Sequence, residues 1–265
     1  MSGAIKAIGS SASADADGSS AVMRLRAKGS ITPVSVQEDM YRLPYHWFPE
    51  ERLKRFERQE KQRIVSKLIE KHEGQSIHDY LDVGCGDGRW TSDIFESLGK
   101  NLRCTGIDFS ERAIGFARLI SPKIDFRIQA GEALNFDPES FDLVTAIEVL
   151  EHVPDEHELG FLKELRKVLR SGGLLILTTP STNLRLAAHH YRHYTISRLT
   201  GLLTRAGFSV MDVRGQSTKC SGARRWLRKR TNLFPIFWKL WRFTYKEAAP
   251  EKSLNLLVAA RPVVG

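Results

Sequence analysis

Helical and strand patterns alternate from residue 51 to residue 207, and this alternation constrains the fold more than any other feature of the sequence. Short apolar runs are separated by segments with helical spacing, an order typical of a largely parallel sheet with crossover helices. The predicted strands are Ile77–Val83, Leu102–Asp108, Ile124–Gln129, Phe141–Ile147, Leu174–Thr179, Phe208–Val213 and Leu254–Ala260.

A leading helix and the helices predicted between these strands place the chain in the α/β class. They are Glu51–His72, Trp90–Leu98, Glu111–Leu119, Glu156–Leu169 and Ser197–Ala206. Ser110 is a candidate N-cap for the third of them, and Ser171-Gly172-Gly173 is expected to stop the fourth.

Composition sets the broad class of the protein. The 265 residues are 42% hydrophobic and 27% charged, as in an ordinary globular chain, which excludes wholly disordered, collagenous and multi-span membrane proteins. Three cysteines are too few for a disulfide framework and favour a reducing compartment. We expect a disordered Ser/Ala/Gly-rich leader at 1–30, an N-terminal helical cap at 31–75 and one domain at 76–265.

A glycine-rich loop follows the first strand. The sequence Leu81-Asp82-Val83-Gly84-Cys85-Gly86-Asp87-Gly88 leads into a helix, so its backbone can approach a ligand closely. Asp108 ends the next strand, where a carboxylate can accept both hydroxyls of a ribose. The pattern predicts a nucleoside-ligand site; the alternative is a tight turn with a surface aspartate. The glycine spacing differs from that of dinucleotide enzymes, which disfavours a nicotinamide dehydrogenase.

With these motifs in this order, the sequence resembles the class I S-adenosylmethionine-dependent methyltransferases from Tyr80 to Gly207 and in the terminal strand. The resemblance implies a Rossmann-like, seven-stranded, mostly parallel sheet with helices on both faces and an antiparallel last strand. It also implies S-adenosylmethionine as the cofactor. The cofactor-binding residues it implies are Asp82, Gly84, Cys85, Gly86, Gly88, Asp108, Phe109, Gly131, Glu132, Ala133, Ile147 and Glu148. Glu132 stands where the family more often has aspartate, and Ser171 where proline is common.

The run Glu148–Asp155 resembles the O-methyltransferases of ubiquinone biosynthesis. It also resembles the Glu-x-x-Glu-His element with which a small-RNA 2′-O-methyltransferase family holds magnesium. Glu148, Glu151 and His152 are therefore candidate ligands for a divalent metal. The favoured alternative is that Glu148 borders the cofactor while Glu151 and His152 orient the loop by hydrogen bonds.

Transfer to an oxygen requires a base for the hydroxyl proton, and histidines supply the candidates. His190 and His193 lie in a loop after the fifth strand, where ligands of parallel sheets bind. Together with His152 they are the predicted catalytic residues. The alternative for the loop is that Thr195 caps the next helix and His193 only packs.

The positive charge of the chain is concentrated in one segment. The formal net charge is +9, and residues 219–246 carry nine lysines and arginines with no acidic residue. They form most of a basic, aromatic insert at 215–250, in which Pro235 is expected to start a helix. Ile236, Phe237, Leu240 and Trp241 would share one side of that helix; Lys239, Arg242 and Lys246 would form a basic stripe. Three interpretations remain, in this order: an anionic membrane surface, a lid over the substrate cleft, or RNA.

We therefore predict an S-adenosylmethionine-dependent methyltransferase acting on oxygen of a small-molecule, lipid-linked or saccharide acceptor. An RNA methyltransferase and a non-catalytic cofactor- or RNA-binding protein are the alternatives. Nucleic acid is the less favoured partner, and a metal is not favoured as a cofactor. We expect the protein in the cytoplasm, associated with the inner face of the membrane. A second aromatic cluster at 41–48 would help to close the cleft or pack on the leading helix.

Overall fold

The computed structural model describes residues 41–48, 52–74, 76–99, 101–218, 222–230, 235–243 and 247–263. The predicted leader at 1–30 lies outside the described residues, as do Lys219, Cys220 and Lys246. Contacts divide the chain between residues 30 and 31, and every described residue belongs to the second unit.

Seven strands form one sheet in the order β3-β2-β1-β4-β5-β7-β6. Strands β1 to β5 pair in parallel, whereas β7 is antiparallel to both β5 and β6. The predicted Rossmann-like, mostly parallel sheet is therefore confirmed. The strands are β1 Asp79–Val83, β2 Arg103–Asp108, β3 Asp125–Ile128, β4 Phe141–Ile147, β5 Leu169–Pro180, β6 Phe208–Thr218 and β7 Ser253–Pro262.

The helices that connect these strands match the predicted ones within a few residues. Ser110 caps α3, since its Oγ accepts the Ala113 N–H at 3.1 Å, and Thr195 caps α5 in the same way at 3.2 Å from Arg198 N. The described α-helices are α1 Arg52–His72, α2 Arg89–Leu98, α3 Glu111–Ile120, α4 Glu158–Val168, α5 Ile196–Arg205, α6 Gly222–Arg230 and α7 Pro235–Phe243.

The central strands are buried on both faces, which is why they read as continuous apolar runs. Every residue of β1 and β4 is buried. Alternate residues feed two hydrophobic clusters: Leu81 and Val144 lie in one, and Tyr80 and Leu143 lie in the other. The period-2 alternation of strand side chains thus gives the sheet two cores, one under each layer of helices.

The fifth strand begins earlier than predicted, and the predicted helix stop at Ser171-Gly172-Gly173 is wrong. Helix α4 ends at Val168, and β5 starts at the next residue and includes the Ser-Gly-Gly segment. Leu169 pairs with Phe141 before a register shift, so the glycines lie at an irregularity of the ladder. A Cβ on Gly173 would approach the Leu169 side chain to 2.7 Å, so the glycine permits this bend.

The topology gathers the loops of interest at one edge of the sheet. The segments after β1, β2, β4 and β5 all leave from the carboxyl ends of parallel strands. Because β6 runs antiparallel to β7, which itself runs antiparallel to β5, the carboxyl end of β6 reaches the same edge. The loop after β5 that carries His190 and His193 is called the histidine loop below. The glycine loop, the histidine loop and the basic insert therefore all connect to the carboxyl edge. Within the described part of the chain, no helix combines the length and apolarity needed to span a bilayer.

Replacing Gly88 by alanine should destabilise the protein by about 2 kcal/mol or more. Its φ is +76°, and a Cβ there would lie 2.7 Å from Phe126 and 2.9 Å from Ala117. Gly201→Ala is the matched control, because nothing lies within 4 Å of its Cβ position inside α5. That change should stabilise the helix by about 0.5–1 kcal/mol. Urea unfolding measures both, and equal effects of the two substitutions would contradict this account of the turn.

Candidate functional site

The glycine loop after β1 is held in a conformation that other residues rarely adopt. Gly84, Gly86 and Gly88 have φ of +73°, +56° and +76°. A Cβ on Gly84 would collide with the Val149 side chain, and one on Gly86 would collide with the Tyr41 hydroxyl. The close packing of β1 and β4 loops therefore depends on positions without side chains.

Asp108 ties this loop to the end of β2. Its Oδ2 accepts the Gly86 N–H and its Oδ1 accepts the Ser110 N–H, both at 2.9 Å. The residue is only 4% exposed, yet each carboxylate oxygen has more than one acceptor site. The arrangement suits a carboxylate that also accepts vicinal hydroxyls, as the ribose-binding prediction requires.

Asp82 lies beneath the glycine loop rather than in open space. Its two oxygens accept 2.6 Å hydrogen bonds from the hydroxyls of Thr91 and Thr145, which connect β1 to α2 and β4. Burial raises its pKa to about 6. Burial also raises the pKa of the neighbouring Cys85 thiol. Both residues support the loop from its buried side, and their direct contact with a cofactor stays a prediction.

The other predicted cofactor residues lie at the carboxyl ends of β2, β3 and β4. Phe109 is half-buried, Ile147 is buried, and Glu132 and Ala133 are exposed. Gly131 packs so closely on Phe161 that a Cβ would approach the ring to 2.7 Å. These positions fit the side of a nucleoside pocket, with Glu132 at its solvent rim.

The segment 41–48 is fastened to the glycine loop. The His46 N–H and Nδ1 contact the two carboxylate oxygens of Asp87 at 3.0 Å, and Trp47 Nε1 donates to the Asp87 carbonyl at 2.9 Å. Tyr41 is 4% exposed; burial, followed by the charge of Asp108, raises its pKa. Of the two interpretations of this aromatic cluster, its contacts favour the one in which it closes the cleft.

Glu148 stands at the end of β4 with φ +57°, a strained value for this residue type. Its Oε1 accepts the Thr178 hydroxyl at 2.7 Å and lies 2.9 Å from Lys61 Nζ. Although burial acts in the opposite direction, the ammonium group and the hydrogen bonds lower the pKa of Glu148. The residue is therefore an ionised carboxylate beside the glycine loop.

Sequence reasoning missed Lys61, although the sequence contains a signal. Lys61 lies three residues before Ile64 on the apolar stripe of α1 and is 9% exposed. A lysine on the buried stripe of a helix requires a partner, because an unpaired buried ammonium is costly. Glu148 is that partner, some 87 residues further along the chain, a distance that no local pattern reveals.

Glu151 is completely buried, and its environment differs from that of Glu148. Its Oε2 accepts the Thr179 hydroxyl at 3.1 Å, while Oε1 has no hydrogen-bond partner among the described residues. Burial, followed by the charge of Glu148, raises the pKa of Glu151. The Glu151 carbonyl accepts the Tyr191 N–H at 2.9 Å, so the residue also orients the histidine loop.

Hydrogen bonds fix the ring protons in the histidine loop. His193 Nδ1 lies 3.2 Å from the Leu184 carbonyl, so it carries a proton and leaves Nε2 as an acceptor. His190 Nδ1 lies 2.8 Å from that Nε2 and must donate to it. His152 Nδ1 donates to the His189 carbonyl at 3.0 Å. Neutral His152 and His190 therefore each keep a basic Nε2.

The structure brings two of the predicted metal candidates together with a histidine that was predicted to be catalytic. Among the described residues, Glu151, His152 and His190 offer ligand atoms within 4.8 Å of one another. Glu148, the third predicted ligand, is instead paired with Lys61. A carboxylate oxygen and two imidazoles suit a divalent cation, whose charge would favour the ionised form of Glu151. Metal binding stays a prediction, and the hydrogen bonds of Glu151 and His152 also fit the favoured loop-orienting role.

Comparison with known proteins agrees with this site. Residues 81–173 match the family model described as "Methyltransferase domain". About a third of the chain therefore resembles a methyltransferase domain. The matched region begins in β1, includes the glycine loop, Asp108 and the Glu148–His152 segment, and ends within β5.

Two curated relatives match about half of this chain. A probable S-adenosylmethionine-dependent methyltransferase of Mycolicibacterium smegmatis is 31% identical over 144 residues, which cover 52% of this chain and 54% of that protein. A ubiquinone biosynthesis O-methyltransferase of Xanthomonas campestris is 34% identical over 158 residues, which cover 51% and 64%. The chain thus spans between about half and two thirds of the length of these relatives.

The fold of this chain is shared with solved structures. An S-adenosylmethionine-dependent methyltransferase from Methanosarcina mazei superposes with a TM-score of 0.55 and 20% identity, covering 74% of this chain and 98% of that one. At this identity the comparison establishes the fold.

Replacing Lys61 by methionine should destabilise the domain by about 2 kcal/mol, because it leaves the Glu148 carboxylate without its cation. Lys67→Met is the control: Lys67 lies on the same helix but is exposed, so its loss should change stability by about 0.5 kcal/mol or less. Urea unfolding of Lys61→Met, Glu148→Gln and the double variant gives the coupling energy. If Lys61→Met costs no more than Lys67→Met, the pair has no structural role.

Proposed function

We propose that the protein transfers the methyl group of S-adenosylmethionine to an oxygen of an apolar or lipid-linked acceptor. The observation that carries this proposal is the meeting of two features at the carboxyl edge of the sheet. The glycine loop with Asp108 offers a nucleoside cradle, and the neutral histidines of the β5 loop offer base groups beside Glu148.

The cradle fits the donor in both shape and charge. The side-chain-free backbone of Gly84, Gly86 and Gly88 leads into the N-terminus of α2, where the amino-acid end of the donor would bind. Asp108 would accept the ribose hydroxyls. When bound, S-adenosylmethionine supplies an electrophilic methyl group and leaves as S-adenosylhomocysteine. The residues of the protein then have to position the acceptor and remove its proton.

His190 is the proposed base. Burial, followed by the neighbouring His152, His189 and His193, lowers its pKa to about 3, so the ring is neutral but is by itself a weak base that has to pass an accepted proton on. A hydroxyl proton accepted at Nε2 can be relayed, since the His190 Nδ1–H already donates to His193 Nε2 at 2.8 Å. His152, with its own basic Nε2, completes the group.

The surface around this loop favours an apolar acceptor. Leu184, Leu186 and Tyr191 are 38%, 52% and 39% exposed, and all three belong to the loop that carries His190. An aromatic or prenylated hydroxy compound would cover them on binding. The Xanthomonas relative is named for ubiquinone biosynthesis, which agrees with an acceptor of this kind.

The activity is tested with a deuterated methyl donor and fractionated cell extract, followed by mass spectrometry of the products. We expect a labelled product in the lipid fraction, with the methyl group on oxygen. His190→Asn should lower kcat about 100-fold or more while the affinity for S-adenosylhomocysteine is retained.

His157→Asn, at an exposed position before α4, is the control and should retain full activity. A His190→Asn variant with the kcat of the unmodified protein would refute the role of this base. A labelled product that is RNA would refute the proposed acceptor class.

A further inference from the structure

The helices α6 and α7 form the described part of the basic insert, and one side of them is anchored to α1. Trp241 is 1% exposed and clusters with Leu53 and Phe56 of α1. The Phe56 ring lies 5.5 Å from Trp241 and 5.3 Å from Trp238, in edge-to-face geometry. These two helices are therefore packed on the domain through their inner side.

The outer face of these helices is apolar and exposed. Ile236 and Leu240 are 56% and 47% exposed, and Trp226 of α6 is 47% exposed. Ile236, Lys239 and Leu240 are spaced i, i+3, i+4 and share one side of α7. We call Trp226, Ile236, Lys239 and Leu240 the docking surface. The predicted apolar side of this helix is thus divided, with Trp241 inside and Ile236 and Leu240 outside.

The two helices that carry the docking surface are also rich in positive charge. Arg228, Lys239 and Arg242 are exposed, and the Arg230 guanidinium lies 4.2 Å from the centre of the Trp226 ring. The segment 219–246 that contains them has nine lysines and arginines and no acid. Exposed aliphatic and indole side chains on helices rich in cations are typical of helices that lie in an anionic membrane interface.

The position of the insert relates the docking surface to the candidate functional site. It connects the carboxyl end of β6 to the start of β7, so it leaves the sheet at the edge that carries the glycine loop and the histidines. The exposed Leu184, Leu186 and Tyr191 belong to a loop at the same edge. A protein held to a bilayer through α6 and α7 would present this edge near the lipid.

We propose that the docking surface binds the anionic face of a phospholipid bilayer as a peripheral contact. Exposure argues against a closed lid, because Ile236 and Leu240 would be covered if they packed over the cleft. Aliphatic side chains also do not stack on bases, which argues against single-stranded RNA. The delivery of a lipid-linked acceptor from that bilayer rests on the proposed function; the membrane contact does not.

The test is co-sedimentation of the full chain with vesicles, in the absence of donor and acceptor. One set of vesicles is phosphatidylcholine alone and the other is an equal mixture of phosphatidylcholine and phosphatidylglycerol. We expect binding to the anionic vesicles that weakens as salt rises, and little binding to the neutral ones. No methyl transfer is measured in this experiment. A failure to bind vesicles would therefore refute the membrane contact without refuting the proposed activity.

Two variants locate the contact. Ile236→Ser with Leu240→Ser should weaken binding about tenfold or more, since it removes the inserted aliphatic groups. Its control is Met211→Ser with Val263→Ser, which are 48% and 50% exposed at other places in the domain. Lys239→Glu should weaken binding about tenfold, and Arg205→Glu, which makes the same change of charge at the exposed end of α5, should not.

Thermal unfolding of each variant checks that the fold is retained, and Lys239→Glu tests the proposal even if the double serine variant does not fold. The proposal is overturned if the unmodified protein stays in the supernatant with anionic vesicles. It is also overturned if the control variants lose as much binding as the docking-surface variants. Retention on single-stranded RNA but not on vesicles would assign the surface to nucleic acid instead.

Discussion

The two backbone hydrogen bonds accepted by Asp108 are the interaction on which the site depends. They join the glycine loop of β1 to the first turn of α3, so two crossover units are fixed relative to each other at 2.9 Å contacts. The loop itself is possible only because three glycines adopt positive φ. A carboxylate held in this way is preorganised, and under the proposed function it would accept the ribose diol without rearrangement.

The remaining parts of the site are built around this junction from distant segments. Tyr41 and His46 belong to the segment 41–48 that packs on the glycine loop, and Lys61 of α1 pairs with Glu148. The lysine keeps Glu148 ionised, whereas the fully buried Glu151 is driven toward its neutral form. The pKa values of two glutamates three residues apart are therefore shifted in opposite directions, because Lys61 pairs directly with only one of them.

Features that depend on residues close together in the sequence could be predicted. Strand alternation, the Gly84–Gly88 loop, the position of Asp108 and the caps at Ser110 and Thr195 are local patterns, and the fold they predict is confirmed. The start of β5 was predicted wrongly because an irregularity of the ladder, between Phe141 and Leu143 of β4, allows glycines inside the strand. The Lys61–Glu148 pair and the convergence of Glu151 with His190 could not be predicted, since they depend on the packing of α1 and the β5 loop against β4.

The most direct test of the account is isothermal titration calorimetry of the purified full chain with S-adenosylhomocysteine. The account predicts heat with a stoichiometry of one, no heat with NAD, and an affinity lowered about tenfold or more by Asp108→Asn, since an amide cannot accept as the carboxylate does. Absence of heat with S-adenosylhomocysteine, from protein that unfolds cooperatively on heating, would contradict the assignment of the pocket.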